Sequence, residues 1–326
     1  MNQSIHPKIV ETVAKTGCIF FGIFFALLSF EIAIRISESI PETRQINDRP
    51  TTQEMRLEHR EIPQSLALHL QSKRENEIRI IALGDSFTFG PEMHQDDAYP
   101  ARVNRILNHL NEKNKFSVLN FGVRGYSTVQ ELELLKENYK RVNPDLVLLQ
   151  ITLNDPELAP YRVTHPYLDA HGKVRLTNPI FTYWRSLKFV IERIVNSQTR
   201  TQYLEYYSQL FSNPTTYNRF KDSIQQIKKL LAENNISFVA VVFPLFSHPL
   251  DKSYPFLECH KKIRDLLKSE AIPFLDLLHR YKRLESTRLQ VLPGLDSHPN
   301  EIAHRIAADT ISQWLINSHA VPIETN

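Results

Sequence analysis

The sequence predicts an α/β protein, a three-layer α/β/α sandwich around a mainly parallel sheet, preceded by one N-terminal transmembrane helix. Short runs rich in Val, Ile and Leu alternate with longer segments whose apolar residues repeat at helical spacing, as in parallel-sheet proteins. The short runs cover residues 78–83, 116–121, 146–151 and 238–243. Residues 16–30 form a separate apolar stretch without any charged side chain. The sheet-based domain is therefore expected to follow a membrane segment.

The composition is that of an ordinary globular protein, with 42% hydrophobic and 23% charged residues in a chain of 326. The net charge is only +3, which gives no sign of a nucleic-acid partner. The two cysteines, Cys18 and Cys259, have no zinc-type spacing, and the position of Cys18 in the apolar stretch argues against a disulfide. The sequence contains no glycine-rich phosphate loop and no run of metal ligands, so we expect no cofactor and no metal.

Residues 1–36 are predicted to form a short tail and the transmembrane helix. The apolar stretch resumes after Glu31, giving about the length that crosses a hydrocarbon core of ~30 Å. A cleaved signal peptide is the alternative, although no small-x-small cleavage site follows the stretch. Basic residues flank both ends, so the positive-inside rule does not decide the orientation. Because short N-terminal tails usually stay cytoplasmic, we expect a single-pass membrane protein whose main domain is periplasmic or extracellular.

Residues 37–76 are polar, contain three prolines and lack apolar periodicity, which predicts a juxtamembrane stalk. The main domain is predicted to occupy residues 77–320. It is interrupted at about 156–213 by an insertion rich in aromatic residues, with a helix expected around 184–195. We interpret the insertion as lying over or beside one edge of the sheet, either as a helical flap packed on the rim or as a substrate lid.

The first strand of the domain ends at Gly84, and Ser86 follows in a tight turn that closes at Gly90. Glycine tolerates unusual backbone angles and lets a ligand approach the backbone closely. A serine just past the carboxyl end of a parallel strand stands where open α/β sheets bind their ligands. The turn therefore predicts a nucleophilic Ser86, and the alternative is an ordinary polar turn.

Two further loops follow strands in the same way. The second strand leads into a loop with Gly122 and Gly125, and the third strand ends just before Asn154. Helices are predicted between the strands, at residues 96–110 and 129–142. Because crossovers between parallel strands are right-handed, the three loops should meet at one sheet edge.

Regular α/β order is predicted to return after the insertion. The remaining elements are a helix, a strand, a second helix, a short strand and a final helix, at residues 216–233, 238–243, 256–268, 272–275 and 301–316. Directly before the final helix the sequence reads Asp296-Ser297-His298.

These motifs, in this order, resemble those of the GDSL or SGNH hydrolases. Gly84-Asp85-Ser86 with Gly90 matches the first block of that family, Gly125 the second, Asn154 the third, and Asp296 with His298 the last. The resemblance covers roughly residues 77–316 and is nearest to bacterial membrane-anchored members. It implies an SGNH or flavodoxin-like fold and the cleavage of esters.

Together these residues would supply the groups that ester cleavage needs. Ser86 would attack the carbonyl, His298 would take its proton as general base, and Asp296 would orient the imidazole. The oxyanion would be bound by the backbone N–H groups of Ser86 and Gly125 and by the side-chain amide of Asn154. Asp85 is expected to fix the turn rather than to touch substrate.

The sequence departs from the family pattern at two positions. Thr152 replaces the glycine that usually precedes the asparagine by two residues, which would narrow the pocket. Asp296 lies only two residues before His298, whereas the family's spacing is often three, and Leu295 occupies the usual position. The shorter spacing resembles relatives that move acetyl groups on exported polysaccharides. A serine–histidine pair would still operate if Asp296 contributed little.

The expected function is that of a serine esterase that hydrolyses acyl or acetyl esters through an acyl-serine intermediate. One alternative is an O-acyltransferase or acetylesterase that acts on cell-envelope or exported polysaccharide. Another is a non-catalytic, membrane-tethered binding module. The expected partners are a small-molecule or glycan ester and the membrane, with no nucleic acid, and the sequence leaves the oligomeric state open.

Overall fold

The computed structural model describes residues 7–39, 72–111, 113–158, 183–294 and 296–322. The described residues fall into two compact units. One contains residues 7–39 and 183–203, and the other contains residues 72–158 and those from 204 onward. Most of the predicted stalk, and residues 159–182 of the predicted insertion, lie outside the described residues.

The secondary structure consists of seven strands, nine α-helices and two short 3₁₀-helices (Gln95–Asp97 and Ser286–Leu289) within the described ranges. The strands are β1 (Glu77–Gly84), β2 (Lys115–Gly122), β3 (Leu146–Ile151), β4 (Ser237–Val242), β5 (Phe274–Asp276), β6 (Gln290–Leu292) and β7 (Asp296–Pro299). The helices are α1 (Pro7–Ser39), α2 (Ser86–Phe89), α3 (Tyr99–Leu110), α4 (Thr128–Val142), α5 (Arg185–Ser212), α6 (Pro214–Glu233), α7 (Leu257–Ser269), α8 (Leu278–Tyr281) and α9 (Glu301–Asn317).

Five strands form one parallel sheet in the order β2-β1-β3-β4-β5. The apolar residues of the central strands β1, β3 and β4 are almost all buried, and those of the edge strands β2 and β5 are mostly half-buried. The last residue of β1, Gly84, pairs with Gly122 of β2, and Leu83 pairs with Leu149 of β3, so the carboxyl ends of these strands are level. The chain reverses its direction across the sheet between β2 and β3. Open α/β sheets bind ligands at such a switch point.

The helices of the α/β unit pack in pairs that cover the sheet. α3 packs against α9, and α4 packs against α6. Each presents an apolar face to the core, for example Val103 and Leu107 on α3 and Ile224 and Ile227 on α6. The predicted three-layer α/β/α architecture is confirmed.

Three elements differ from the expectation. β5 begins at Phe274 instead of residue 272, because Ile272 still belongs to the turn that ends α7 and donates its N–H to Leu267 O at 2.9 Å. α5 continues to Ser212, well past the predicted helix at 184–195. The segment around His298, for which no element was predicted, forms β7, and β7 pairs with β6 as a short antiparallel ribbon.

α1 contains the predicted membrane segment. Its apolar span runs from Lys15 to Ile36, with a mean hydropathy of 2.3 in an 18-residue window of which only 6% is buried. Large side chains such as Phe20, Phe21 and Phe25 are exposed along it. By length and composition this helix is able to cross a membrane, and a secretory signal sequence near an N-terminus meets the same criteria.

Candidate active site

Ser86 is the first residue of the short helix α2, directly beyond the end of β1. The Asp85 carboxylate caps this helix by accepting a hydrogen bond from Phe87 N at 2.8 Å. Gly90 ends the helix with a φ of 72°, a conformation that strains residues with a side chain. The turn therefore holds Ser86 at the carboxyl edge of the sheet.

Gly122 at the end of β2 allows the serine turn to pack closely against the neighbouring strand. A Cβ on this residue would overlap the backbone of α2, lying 2.7 Å from Thr88 C and 2.8 Å from Phe89 Cα. Asn120 reinforces the contact, because its side-chain amide donates to Thr88 O at 2.9 Å. The close packing against α2 is therefore a structural reason for glycine at position 122.

Ser86, His298 and Asp296 lie in one hydrogen-bonded row. The Ser86 Oγ is 3.0 Å from His298 Nε2, and His298 Nδ1 is 2.6 Å from Asp296 Oδ1. In the neutral imidazole with its proton on Nδ1, Nδ1–H donates to Asp296 and Nε2 accepts the serine hydroxyl. Ser86 is only 8% exposed, whereas the side chains of His298 and Asp296 are about one third exposed, at 31% and 28%. The row is thus reachable from solvent at the histidine.

The strand β7 explains how an acid two residues before the histidine reaches it. Side chains at positions i and i+2 of a strand point to the same face. The same Asp296 oxygen also accepts from the His298 backbone N–H at 3.0 Å. Burial alone would raise the pKa of Asp296, but the hydrogen bond and charge of His298, with the charge of Arg124, hold that pKa below its usual range. Asp296 is therefore ionised at neutral pH.

Phe87 fixes the other side of the imidazole. Its ring centroid lies 5.8 Å from that of His298, and it packs in turn against Phe243 and Phe246. All three phenylalanines are buried. The histidine ring is thus held between a carboxylate and an aromatic cluster, which limits its rotation.

The loop after β2 brings Gly125 to the same sheet edge. Val123 N donates to Gly84 O at 3.0 Å, which fastens the loop to the residue that begins the serine turn. Gly125 has a φ of 76°, and a Cβ there would meet nothing within 4 Å, so backbone conformation is the structural reason for glycine. Among the described residues, neither the Ser86 nor the Gly125 backbone N–H donates to another protein group.

Asn154 follows β3 and is joined to the serine turn through Asp85. Its Nδ2 donates to Asp85 Oδ2 at 2.8 Å, which uses one of the two amide protons. The Thr152 hydroxyl contacts the Asn154 Oδ1 and also lies 3.1 Å from Asp85 Oδ2. Both ends of the amide are therefore held, and the second proton on Nδ2 is not needed for these contacts.

Thr152 and Asp85 have roles that the sequence analysis only partly predicted. Thr152 contacts the side chain of Asn154, and the narrowing of the pocket stays a prediction. Asp85 fixes the turn, as expected, but it also orients Asn154. The only feature of the sequence that indicated this second role was the position of Asp85 in the first block of the family motif. Burial raises the pKa of Asp85, and the hydrogen bonds from Phe87, Asn154 and Thr152 oppose this effect.

Two more buried acids lie beneath these loops, and the sequence analysis missed both. Asp155 accepts from the Thr128 hydroxyl and from Thr152 N, each at 2.5 Å. Glu131 on α4 is fully buried, and neither of its carboxyl oxygens has a hydrogen-bond partner within the described part of the chain. Burial and the charges of neighbouring acids raise the pKa of both groups well above the ordinary range. Since Glu131 lacks donors, it is the acid that should carry a proton.

Replacing Glu131 by glutamine is expected to stabilise the protein at neutral pH. The folded-state pKa is raised above the ordinary value of 4.5, so the folded protein binds the proton more tightly than the unfolded chain does and loses stability as the pH rises. Glutamine removes this loss. The gain in the free energy of unfolding should be small at about pH 5 and larger at about pH 8. Each kcal/mol gained should raise the melting temperature by roughly 2–4 °C.

Thermal unfolding of both proteins across this pH range tests the expectation. Glu133→Gln on the same helix is the matched control, because the side chain of Glu133 is 61% exposed and its charge is solvated. A Glu131→Gln protein that is destabilised equally at both ends of the range would show that Glu131 is not protonated in the folded state.

The structure therefore brings most of the predicted site residues together. Ser86, His298 and Asp296 are in direct contact, Asn154 is linked to their turn by Asp85, and Gly125 lies in the loop fastened to Gly84. Within the described ranges, no group of three or more His, Cys, Asp or Glu side chains is arranged to hold a metal ion.

Comparison with known proteins identifies the family of the chain. The family model of the GDSL-like lipase/acylhydrolase family matches residues 82–306. A search of curated proteins finds no match. Solved structures with similar folds include an acetyl xylan esterase, with 16% identity over 75% of this chain and 100% of the other and a TM-score of 0.47.

Two further solved structures have comparable similarity. The lipase/acylhydrolase from Enterococcus faecalis is 13% identical, and the alignment covers 76% of this chain and 100% of the other with a TM-score of 0.45. A GDSL-like lipase from Bacteroides thetaiotaomicron VPI-5482 is 16% identical, covers 78% of this chain and 96% of its own, and has a TM-score of 0.43. The family match spans well over half of the chain, so the protein belongs to the GDSL-like lipase/acylhydrolase family of ester-hydrolysing enzymes.

Proposed function

We propose that this protein is a serine esterase that hydrolyses carboxylic esters through an acyl-serine intermediate. The observation that carries the proposal is the row formed by Ser86, His298 and Asp296, with 3.0 Å between the serine hydroxyl and the imidazole. A nucleophile, a base and an orienting acid in hydrogen-bond contact are what acyl transfer to serine requires.

In the proposed reaction Ser86 Oγ attacks the ester carbonyl carbon while its proton passes to His298 Nε2. The pKa of Asp296 lies below its usual range, so its carboxylate is ionised and stabilises the imidazolium that forms. The proton on Nε2 then moves to the leaving alcohol, and the C–O bond to that alcohol breaks. A water molecule attacks the acyl-serine in the same way, and the carboxylic acid is released as Ser86 regains its proton.

The oxyanion of each tetrahedral intermediate would be bound by Ser86 N, Gly125 N and Asn154 Nδ2. Neither backbone N–H donates to another group within the described residues, and Asn154 uses one amide proton for Asp85. Asp85 and Thr152 hold the amide before substrate arrives. Donors that are already oriented stabilise the developing charge without reorganisation.

The proposal includes a membrane anchor. The span Lys15–Ile36 would cross the bilayer once, with the α/β unit on the non-cytoplasmic side. The length and mean hydropathy of the span, and the exposure of its large apolar side chains, support a helix that crosses the bilayer. Substrates would then be esters found outside the cytoplasm, either small molecules or glycans.

Mechanism-based labelling of the full chain in detergent tests the proposal. A fluorophosphonate should form one covalent adduct, and hydrolysis of p-nitrophenyl acetate should fall in proportion to the labelled fraction. The tryptic peptide spanning residues 80–102 contains Ser86 as its only serine, so peptide mass spectrometry locates the adduct. Heat-unfolded protein is the control, because labelling should require the folded site.

Each other outcome has a distinct meaning. An adduct on a different peptide would contradict the role of Ser86. Labelling at Ser86 together with an acyl-enzyme that water does not release would favour acyl transfer to another acceptor, such as a sugar hydroxyl. A folded protein that neither labels nor hydrolyses ester would favour a binding module.

A further inference from the structure

The unit that contains α1 also contains the start of α5, and the two helices are joined by a glutamate. Glu31 of α1 is only 7% exposed. Its carboxylate accepts from Ser186 N at 2.6 Å, which caps the first turn of α5, and from Arg35 Nε at 2.7 Å. Arg35 in turn donates to Tyr183 O at 2.7 Å. An acid in such an apolar helix is costly unless it is paired, so this contact fixes α5 to α1.

The contact lies at the carboxyl end of the apolar span. Glu31 and Arg35 belong to its last turns before Ile36. Just before them, the Phe30 ring meets the Phe189 ring edge-on, with centroids 5.7 Å apart. If α1 crosses a bilayer, residues this close to the end of the span lie at the level where hydrocarbon gives way to headgroups. The first turns of α5 are held at that level too.

The start of α5 exposes a set of apolar side chains. Val190 and Ile194 are four residues apart, on one face of the helix, and are 39% and 51% exposed. Tyr183 just before the helix is 77% exposed, and Phe189 is 37% exposed. We call these four residues the α5 apolar surface. In a fully aqueous setting this surface would be costly. Its Phe189 ring contacts Phe30, one of the exposed apolar residues of α1.

The charges around the α5 apolar surface are mainly positive. Residues 183–195 contain Arg185, Lys188 and Arg193 but a single acid, Glu192. All three cations are exposed, and the guanidinium of Arg193 lies 4.4 Å from the centroid of the Phe189 ring. Aromatic and aliphatic residues beside lysine and arginine are the composition of helices that lie in the interface of anionic membranes.

We propose that the α5 apolar surface is a second membrane contact, which lies in the bilayer interface beside α1 with Arg185, Lys188 and Arg193 directed at lipid phosphates. This inference rests on the proposed membrane span of α1. It assigns the start of α5, which is part of the predicted insertion, to membrane binding, whereas the sequence suggested a flap or a lid.

The two tryptophans of the chain give a direct measurement. Trp184 lies next to the α5 apolar surface, and Trp314 lies on α9 of the α/β unit. Trp314→Phe and Trp184→Phe each leave one reporter in the full chain. Both proteins would be reconstituted into phosphatidylcholine–phosphatidylglycerol vesicles, with or without phosphatidylcholine brominated near the middle of its acyl chain. Bromine quenches tryptophan fluorescence only at short range.

We expect roughly half of the Trp184 emission to be quenched by brominated lipid, because interfacial helices bury their apolar face about 5–10 Å deep. Trp314 emission should stay nearly unchanged. Adding Ile194→Glu to the Trp184 reporter should reduce the quenching strongly. Ile302→Glu, which replaces an exposed isoleucine of α9, is the matched control and should leave the quenching of Trp184 unchanged.

Flotation of the same vesicles tests the membrane anchor independently of the second membrane contact. Protein that does not float would show that α1 is no membrane anchor, which removes the basis of the inference. Protein that floats with Trp184 as insensitive to bromine as Trp314 would keep the anchor and overturn the second contact. A protein that is dimeric in detergent and whose Trp184 is insensitive to bromine in vesicles would likewise overturn it, in favour of a second copy of the chain on this surface.

Discussion

Replacement of Ser86 by alanine is expected to lower kcat for p-nitrophenyl acetate by about 10⁶-fold, the scale of loss when the nucleophile of a serine–histidine pair is removed. The hydroxyl that would form the acyl-enzyme is absent, and the imidazole of His298, 3.0 Å away, has nothing to deprotonate. The protein should remain folded, since the side chain is small and, among the described residues, its Oγ is hydrogen-bonded only to His298. Steady-state kinetics with circular dichroism and thermal unfolding check both statements.

His298→Ala should cause a loss of similar size, and the double variant should be no worse than either single one, because the two residues act as a unit. Two substitutions serve as matched controls. Ser297→Ala removes a hydroxyl from the same strand, and His279→Ala removes an exposed histidine. Neither should change kcat by more than a small factor. Additive losses from Ser86→Ala and His298→Ala would mean that the serine and histidine do not share one step.

Asn154→Ala is expected to lower kcat by about 10²–10³-fold, which corresponds to about 2.7–4 kcal/mol of transition-state stabilisation for one lost oxyanion donor. The effect should fall on kcat with little change in KM, because the donor would act on charge that exists only in the transition state. Its side chain is already held by Asp85 and Thr152, so the wild-type protein gains this stabilisation without reordering.

Thr152→Val distinguishes this role from a structural one. It removes the hydroxyl near Asp85 and Asn154 but keeps the amide, so its activity should stay well above that of Asn154→Ala. Thermal unfolding of both variants reports any shared structural loss. If Asn154→Ala raised KM and left kcat intact, Asn154 would bind the ground state of the substrate and the oxyanion assignment would be wrong.

Much of the fold follows from local physical rules. β1 and β3 are buried on both faces and the edge strand β2 is partly buried, so their apolar runs identify all three, and a polar or glycine residue ends each run. Ser86 and Asn154 could be predicted as neighbours because β1 and β3 are adjacent parallel strands with level ends. What each side chain touches beyond its turn, such as Asp85 with Asn154, depends on rotamers that the sequence pattern does not give.

Other features depend on tertiary contacts that oppose the local pattern. β6 and β7 are only three and four residues long and surround Pro293 and Gly294, which disfavour strands. Their pairing is supported by the Asn300 amide, which donates to the carbonyls of Arg288 and Gln290. Segment 196–202 of α5 is polar, so its composition suggested an end to the helix.

The burial of Glu131 was indicated by its helical spacing, but the cost of burying a carboxylate argued against it. Its spacing to Leu135 and Val142, four and eleven residues along α4, puts it on the buried face of that helix. A carboxylate is nonetheless normally assigned to the solvent face because burying its charge is costly. Protonation removes most of that cost, and no sequence pattern reports a protonation state.

The position of Asp296 and His298 on one short strand limits how this enzyme can be switched off. The proposed acid and base belong to a single three-residue segment, and the same carboxylate oxygen accepts from both the imidazole and the backbone of His298. No loop movement can separate them without dismantling β7. Ser86 comes from a different part of the chain and meets them only across the 3.0 Å contact. Any conformational gating or inhibitor that works by distortion would therefore act on the serine–histidine distance, leaving a paired but idle histidine.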